Sequence, residues 1–202
     1  MTKSAGQSRN AALTAGRRAV RWRHGGRLGA MLLLGLAAGS SVAQEDPCAK
    51  FSWNIERERA LFASAPEAVT AGRDAATTPQ LAPGRLYQVQ LAPQDHVALA
   101  LPPGKPPKAD GTYAGMARLR LKQPGTYRIS VDQSLWIDGV AYGKMLDSAD
   151  FQGRSGCMTP HKIVQYALPA GRDLVLQLSG AANAGARLTI TQADAGASGH
   201  GR

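Results

Sequence analysis

Residues 118–132 read Arg-Leu-Arg-Leu-Lys-Gln-Pro-Gly-Thr-Tyr-Arg-Ile-Ser-Val-Asp, and the pattern of this stretch indicates the fold class. Apolar residues occupy alternate positions on both sides of a central Pro-Gly turn signal, at Leu119, Leu121, Tyr127, Ile129 and Val131. Alternation with a period of two is typical of strands that bury one face. The stretch therefore predicts two short β-strands joined by a turn.

The same alternation recurs between residues 84 and 192. We predict about eight short strands, centred on 87–91, 97–101, 119–121, 127–131, 135–137, 162–168, 174–178 and 188–190. Short strands at this spacing, separated by Pro- and Gly-containing turns, predict a mainly β protein, an antiparallel β-sandwich or jelly roll.

Four segments with different compositions make up the predicted domain organisation. Residues 1–43 are a signal peptide, and residues 44–83 form an N-terminal helix and a Pro/Ala-rich segment. The helix is expected at about 56–63, and a helical turn is possible near 67–72. Residues 84–192 form the β-sandwich, and 193–202 form a disordered tail because they contain no core-forming side chain.

One loop inside the sandwich has an unusual composition. Residues 101–111 contain four prolines and two lysines, so we expect a stiff excursion on the surface.

The charge of the chain is concentrated in the predicted signal peptide. The formal net charge is +10, but residues 1–43 hold seven basic residues and no acidic ones, which leaves +3 for the rest. A basic stretch is followed by an 11-residue apolar core, residues 28–38, and by small residues up to Ala43. This order predicts cleavage after Ala43 and a periplasmic or secreted protein with no stable membrane insertion after cleavage.

The predicted mature chain has two cysteines, Cys48 and Cys157. An even pair in an exported protein predicts a disulfide, with two free thiols or a two-ligand metal site as the alternatives. The bridge would close a loop of about 110 residues and stabilise the fold by at most about 4–5 kcal/mol.

No catalytic constellation and no cofactor are predicted. The sequence has neither Gly-x-Ser-x-Gly nor Cys-x-x-Cys. His96 and His161 are 65 residues apart, and with a carboxylate such as Asp95, Asp138 or Asp150 they are candidates for a metal site. Solvent-facing histidines at strand ends are the competing interpretation. Asp147 and Asp150 are candidate Ca²⁺ ligands, with a solvated turn as the favoured interpretation.

Aromatic residues give the main candidate for ligand binding. Trp136 is out of phase with its apolar neighbours, so its ring is available to stack on a sugar, with Asp138 and Arg154 as hydrogen-bonding partners and Tyr142 nearby. Tyr127 is in phase with the core.

Nucleic-acid binding is not expected from a net charge of +3 on an exported chain. A basic stripe on two adjacent strands remains a possible contact for anionic glycans or lipid phosphates; its members are Arg118, Arg120, Lys122 and Arg128.

Two resemblances follow from these motifs. The runs 123–132, 135–138 and 169–178 loosely resemble bacterial pre-peptidase C-terminal type sandwiches. Most of the mature chain, including 46–53, 102–105, 150–153 and 161–164, resembles an uncharacterised family of exported proteobacterial proteins, which implies a compartment and no activity. Some members carry the label homogentisate 1,2-dioxygenase. That label is not supported here, since the enzyme's iron site needs two histidines and a glutamate, and no Glu follows Glu67.

Three hypotheses about function follow. The first is an exported, non-catalytic β-sandwich that binds a glycan, an envelope component or a partner protein. The second is a small metal-dependent, oxygenase-like enzyme that uses His96 and His161. The third is a structural or stress-related envelope protein.

Overall fold

The structure, a computed structural model, describes residues 45–193. This part of the chain forms twelve strands and one short α-helix. The predicted signal peptide and all but the first residue of the predicted tail lie outside the described residues. The strands are β1 Glu67–Thr70, β2 Gln80–Leu81, β3 Leu86–Gln90, β4 Ala92–Pro93, β5 Tyr113–Arg120, β6 Gly125–Val131, β7 Trp136–Ala141, β8 Lys144–Leu146, β9 Asp150–Gly153, β10 Lys162–Leu168, β11 Asp173–Ala181 and β12 Gly185–Gln192. The helix α1 is Glu56–Phe62.

The strands form two sheets of a sandwich, which confirms the predicted fold class. Sheet A has the order β1-β3-β12-β6-β10-β9, and sheet B has the order β2-β5-β11-β7-β8, with β4 also paired to β5. Most pairs are antiparallel, but β1 is parallel to β3 and β2 is parallel to β5. Both parallel strands come from residues 64–84, so this Pro/Ala-rich segment extends both sheets.

Side chains from both sheets form one hydrophobic core. Alternate residues of each strand point to the same face, and the inward set includes Leu119, Leu176, Ile129, Leu188 and Ile190, all fully buried. Tyr127 belongs to this core, as predicted.

The outer face of sheet A is covered by the N-terminal segment, residues 45–64. Ile163 points away from the main core and packs in a second apolar cluster with Phe51, Ile55 and the two cysteines. Cys48 and Cys157, 109 residues apart, form a disulfide that holds this segment on the sheet. No helix in residues 45–193 has the length and apolarity needed to cross a membrane.

Two local expectations about secondary structure are wrong. Residues 97–101 are not a strand, because their backbone N–H groups bond outside any ladder: Val97 to Gln94 O, Ala98 to Arg73 O and Leu101 to the Gln177 side chain. The possible helical turn near residues 67–72 is instead strand β1, which pairs with β3.

The basic stripe does not form. Its residues lie on β5 and β6 or between them, and those strands belong to different sheets. Arg128 is only 4% exposed and lies under the N-terminal segment, where its Nε donates to Gln165 Oε1 at 2.9 Å.

Candidate binding cleft

Four side chains on the outer face of sheet B form the base of the candidate site. The pairing of β7 with β11 places Trp136 beside Ser179 and Asp138 beside Gln177. Their neighbour Leu178 belongs to the core, so these four side chains point to the opposite face.

The Pro-rich loop, residues 101–112, lies over this face. Gln177 binds the backbone of Leu101 twice, accepting from its N–H at 2.8 Å and donating to its carbonyl at 3.2 Å. Asp138 Oδ2 accepts from the N–H of Gly104 at 3.0 Å. The expected surface excursion is therefore docked on the sheet, and Gln177 is 0% exposed.

Asp138 also holds the ring of Trp136. The indole Nε1 donates to Asp138 Oδ1 at 2.7 Å, so both carboxylate oxygens are engaged, one by the ring and one by the loop. Residues two apart on a strand share a face, and this contact fixes both the ring and the loop relative to the sheet.

Two clefts meet at Trp136. The larger one, here the lysine cleft, has a volume of about 380 Å³ and runs between the Pro-rich loop and the ends of β7 and β11. Three lysines line it, Lys105, Lys108 and Lys162, and no carboxylate does. Ser179 lines it as well.

The smaller one, here the carboxylate cleft, has a volume of about 220 Å³. It lies on the side of β7 that faces β8 to β10, and Asp138, Asp147 and Ser148 line it. Trp136 and Lys162 line both clefts, so the ring and the lysine form the wall between them.

The two lysines nearest the ring lack an ionic partner. Lys162 Nζ lies 4.6 Å from the Trp136 ring centroid, and Lys105 Nζ lies 5.6 Å from it. No ion pair within residues 45–193 includes either ammonium. Burial lowers the pKa of Lys162, and the nearby charge of Lys105 lowers it further, while Asp138 acts in the opposite direction.

Two side chains of strand β10 form hydrogen bonds with carbonyl groups at the free edge of β7. Strand β8 pairs only with residues 139–141, so Leu135 and Ile137 have no neighbouring strand on that side in the described chain. Lys162 Nζ donates to Leu135 O at 3.0 Å, and the Tyr166 hydroxyl donates to Ile137 O at 2.9 Å. Burial, with a contribution from Asp138, raises the pKa of Tyr166 to about 12.

The structure brings two of the four predicted ligand-binding residues together, Trp136 and Asp138. Arg154 lies elsewhere, because its Nε donates to Lys50 O at 2.6 Å and its guanidinium lies 5.3 Å from the Phe51 ring, next to the disulfide. Tyr142 forms the β7–β8 turn with a φ of 54° and is 69% exposed, lining neither cleft.

The two histidines of the metal hypothesis have no ligand cluster around them. The His96 side chain is 66% exposed in a 3-10 turn after β4, 3.9 Å from Asp95. His161 precedes β10, and its N–H donates to Val131 O at 2.8 Å. Among residues 45–193, no three histidine, cysteine, aspartate or glutamate side chains group in a way that would hold a metal.

The lysines of the cleft and Ser179 were not predicted as ligand-binding residues from the sequence. A signal for Lys162 was present, because Lys162 shares the inward phase of Val164 and Tyr166, where a charged residue is unusual. No comparable signal exists for Lys105, whose position depends on how the Pro-rich loop docks.

No family model matches the chain, and no curated protein matches it either. The resemblances drawn from the sequence motifs stay predictions.

Proposed function

We propose that this protein is an exported, non-catalytic β-sandwich that binds a glycan across Trp136. The observation that carries the proposal is the position of Trp136 between two clefts. A hydrogen bond from its indole N–H to Asp138 fixes the ring in this position. A half-buried aromatic ring at the junction of two clefts suits a chain molecule that passes from one cleft to the other, and the ring supplies an apolar surface for a sugar.

The surroundings of the ring also favour a glycan over an extended peptide. A peptide would add a strand to a free edge. Lys162 and Tyr166 already occupy the Leu135 and Ile137 carbonyls at the free edge of β7. A ligand here therefore has to be bound by side chains, as sugars are.

The disulfide supports the proposed export. Disulfides persist in oxidising compartments such as the periplasm or the exterior of the cell, and the Cys48–Cys157 bridge joins two cysteines that are buried.

Trp136→Ala tests the proposed binding site. Residues 44–202 contain Trp53 and Trp136, so a Trp53→Phe background leaves Trp136 as the fluorescence reporter for titration with neutral and acidic oligosaccharides. For Trp136→Ala itself, measured by calorimetry, we expect affinity to fall about tenfold or more, or about 1.4 kcal/mol.

Tyr142→Asn is the matched control. It removes an exposed aromatic residue outside both clefts and suits the positive φ of the turn, so affinity should not change. If the wild-type protein bound no oligosaccharide at millimolar concentration, or if Trp136→Ala bound as the wild type does, the proposal would be wrong.

A further inference from the structure

We propose that the glycan is acidic, and that its anionic group, a carboxylate or a phosphate, binds in the lysine cleft between Lys105 and Lys162. This inference rests on the proposed function and names the chemical class of its ligand. The anionic group of the glycan would bind in the lysine cleft, and neutral hydroxyl groups of the same chain would bind in the carboxylate cleft.

The charge division between the two clefts is the first argument. The lysine cleft is lined by three lysines without a carboxylate, and the carboxylate cleft by Asp138 and Asp147 with Lys162. Carboxylates repel an anion and accept hydrogen bonds from hydroxyl groups, so the two clefts select different parts of one chain.

The unpaired ammonium groups are the second argument. Lys105 and Lys162 both lie within 5.6 Å of the Trp136 ring centroid, and no carboxylate of the described chain pairs with either. Asp138 is close, but its two oxygens already accept from Trp136 and Gly104. An anion between the lysines would relieve their mutual repulsion in a site where partial burial strengthens the attraction.

The hydroxyl of Ser179 is the third argument. Ser179 is 1% exposed, lines the lysine cleft beside Trp136, and its Oγ has no hydrogen-bond partner in the described chain. A buried hydroxyl without a partner costs free energy. A ligand oxygen in the cleft would supply that partner.

Charge-matched ligands test this inference. The probe is an oligogalacturonate, the neutral match is the same oligosaccharide with its carboxyl groups methyl-esterified, and phosphorylated dextran tests the phosphate source. We expect the acidic chain to bind at least about tenfold more tightly than its ester, and the difference to shrink between 50 and 500 mM NaCl. Tighter binding of the phosphorylated chain than of unmodified dextran would assign the site to phosphate.

Lysine variants locate the effect. Lys105→Gln and Lys162→Gln should each reduce affinity for the acidic chain about tenfold and reduce affinity for the ester by a clearly smaller factor. Gln at position 162 keeps a donor for Leu135 O, and Lys105→Gln is an independent check if Lys162→Gln folds poorly. Lys144→Gln, an exposed lysine of β8 outside both clefts, is the control.

The pH dependence follows from the same pair. Because the pKa of Lys162 is lowered from 10.5, its positive charge is lost at a less alkaline pH than that of an exposed lysine. Affinity for the acidic chain should therefore decline as the pH rises into the alkaline range, and the affinity of Lys162→Gln for the same chain should decline less.

Two failures are distinguishable. If the ester, phosphorylated dextran and unmodified dextran bind as tightly as the acidic chain and the lysine variants change nothing, the inference is wrong while glycan binding stands. If no chain binds, the proposed function is wrong and the inference is wrong with it.

Discussion

Asp138 is the residue on which the geometry of the site depends. It points outward from sheet B and is still only 5% exposed, because it accepts from Trp136 Nε1 and from the Gly104 N–H. One carboxylate thus couples the aromatic ring to the loop that forms the wall of the lysine cleft. Hydrogen bonds to a charged group contribute about 1.5–3 kcal/mol each, which is enough to hold a loop of this kind in place.

Gly104→Ala tests this coupling. A Cβ at position 104 would lie 2.9 Å from Asp138 Oδ1 and 3.2 Å from Trp136 Nε1, closer than van der Waals contact. Either the loop or the Asp138 carboxylate must shift, and both movements disturb the hydrogen bonds that join them, so we expect a loss of about 1–3 kcal/mol in unfolding free energy, together with weaker ligand binding and an altered near-UV signal from Trp136. Urea denaturation and circular dichroism measure these effects.

The matched control is Gly153→Ala on β9. Its Cβ would have the carbonyl of His161 at 3.7 Å as nearest neighbour, an ordinary contact. The coupling would be contradicted if Gly104→Ala were as stable and bound as tightly as Gly153→Ala.

At the scale of single residues, the alternation of apolar side chains pointed to Trp136, which lies beside Asp138; these are two of the four predicted ligand-binding residues. Trp136 was recognised because it breaks the apolar alternation of its strand, and Asp138 shares its face two residues later. Tyr142 lies in the turn at the far end of β7, and Arg154 follows β9, so neither lines the clefts although both are close to Trp136 in sequence. Lys105 and Ser179 could not be predicted, because their place in the cleft depends on the docking of a loop that has no periodic pattern.

At the scale of elements, each outer face of the sandwich is covered by a segment that is not a strand. The Pro-rich loop covers sheet B, and the N-terminal segment with α1 covers sheet A. A seven-residue helix is not stable in water by itself, so α1 depends on packing. Its buried residues are Phe62 and Glu58.

Glu58→Ala should detach α1 from the sheet. Glu58 is 2% exposed, and its Oε1 accepts from the Thr191 hydroxyl at 2.6 Å and from Arg128 Nη1 at 3.5 Å. Its removal leaves the buried Arg128 guanidinium without the carboxylate that pairs with it. Loss of one partner from a buried ion pair typically lowers the free energy of unfolding by about 3–5 kcal/mol. Chemical denaturation measures the loss.

Glu56→Ala on the same helix is the control, because Glu56 is exposed and should change stability by no more than about 0.5 kcal/mol. Equal stability of the two variants would show that the buried pair does not anchor α1.

The errors in the predicted elements share one physical cause. Residues 97–101 alternate as a strand does, yet no strand of the described chain pairs with them, and turn and side-chain groups accept their N–H bonds instead. Residues 67–70 lack a clear pattern and form β1 because β3 offers them a parallel edge. Alternation reports a half-buried face, whereas a strand also needs a partner that local sequence does not specify.

At the scale of the whole molecule, the bridge and the two clefts share one element, strand β10. The Cys48–Cys157 bridge holds the N-terminal segment on the outer face of sheet A, where Ile163 of β10 packs beside it. The clefts lie on β7, β11 and the covering loop of sheet B, with Lys162 of β10 lining both. Because β10 is paired with β6 along its whole length, we expect stability and binding to respond separately to loss of the bridge.

The double variant Cys48→Ser with Cys157→Ser tests this separation. The bridge joins residues 109 apart in sequence. By limiting the conformations of the unfolded chain, it stabilises the fold by at most about 4–5 kcal/mol. Its loss should therefore lower the Tm by roughly 10–20 °C in a domain of this size. Trypsin should cut the released segment after Lys50, Arg57 and Arg59 before it cuts the strands. Calorimetry with the acidic oligosaccharide should show unchanged affinity at a temperature where the variant is folded. Joint loss of binding and segment docking would contradict the separate responses of stability and binding, and an unchanged Tm would contradict the stabilising role of the bridge.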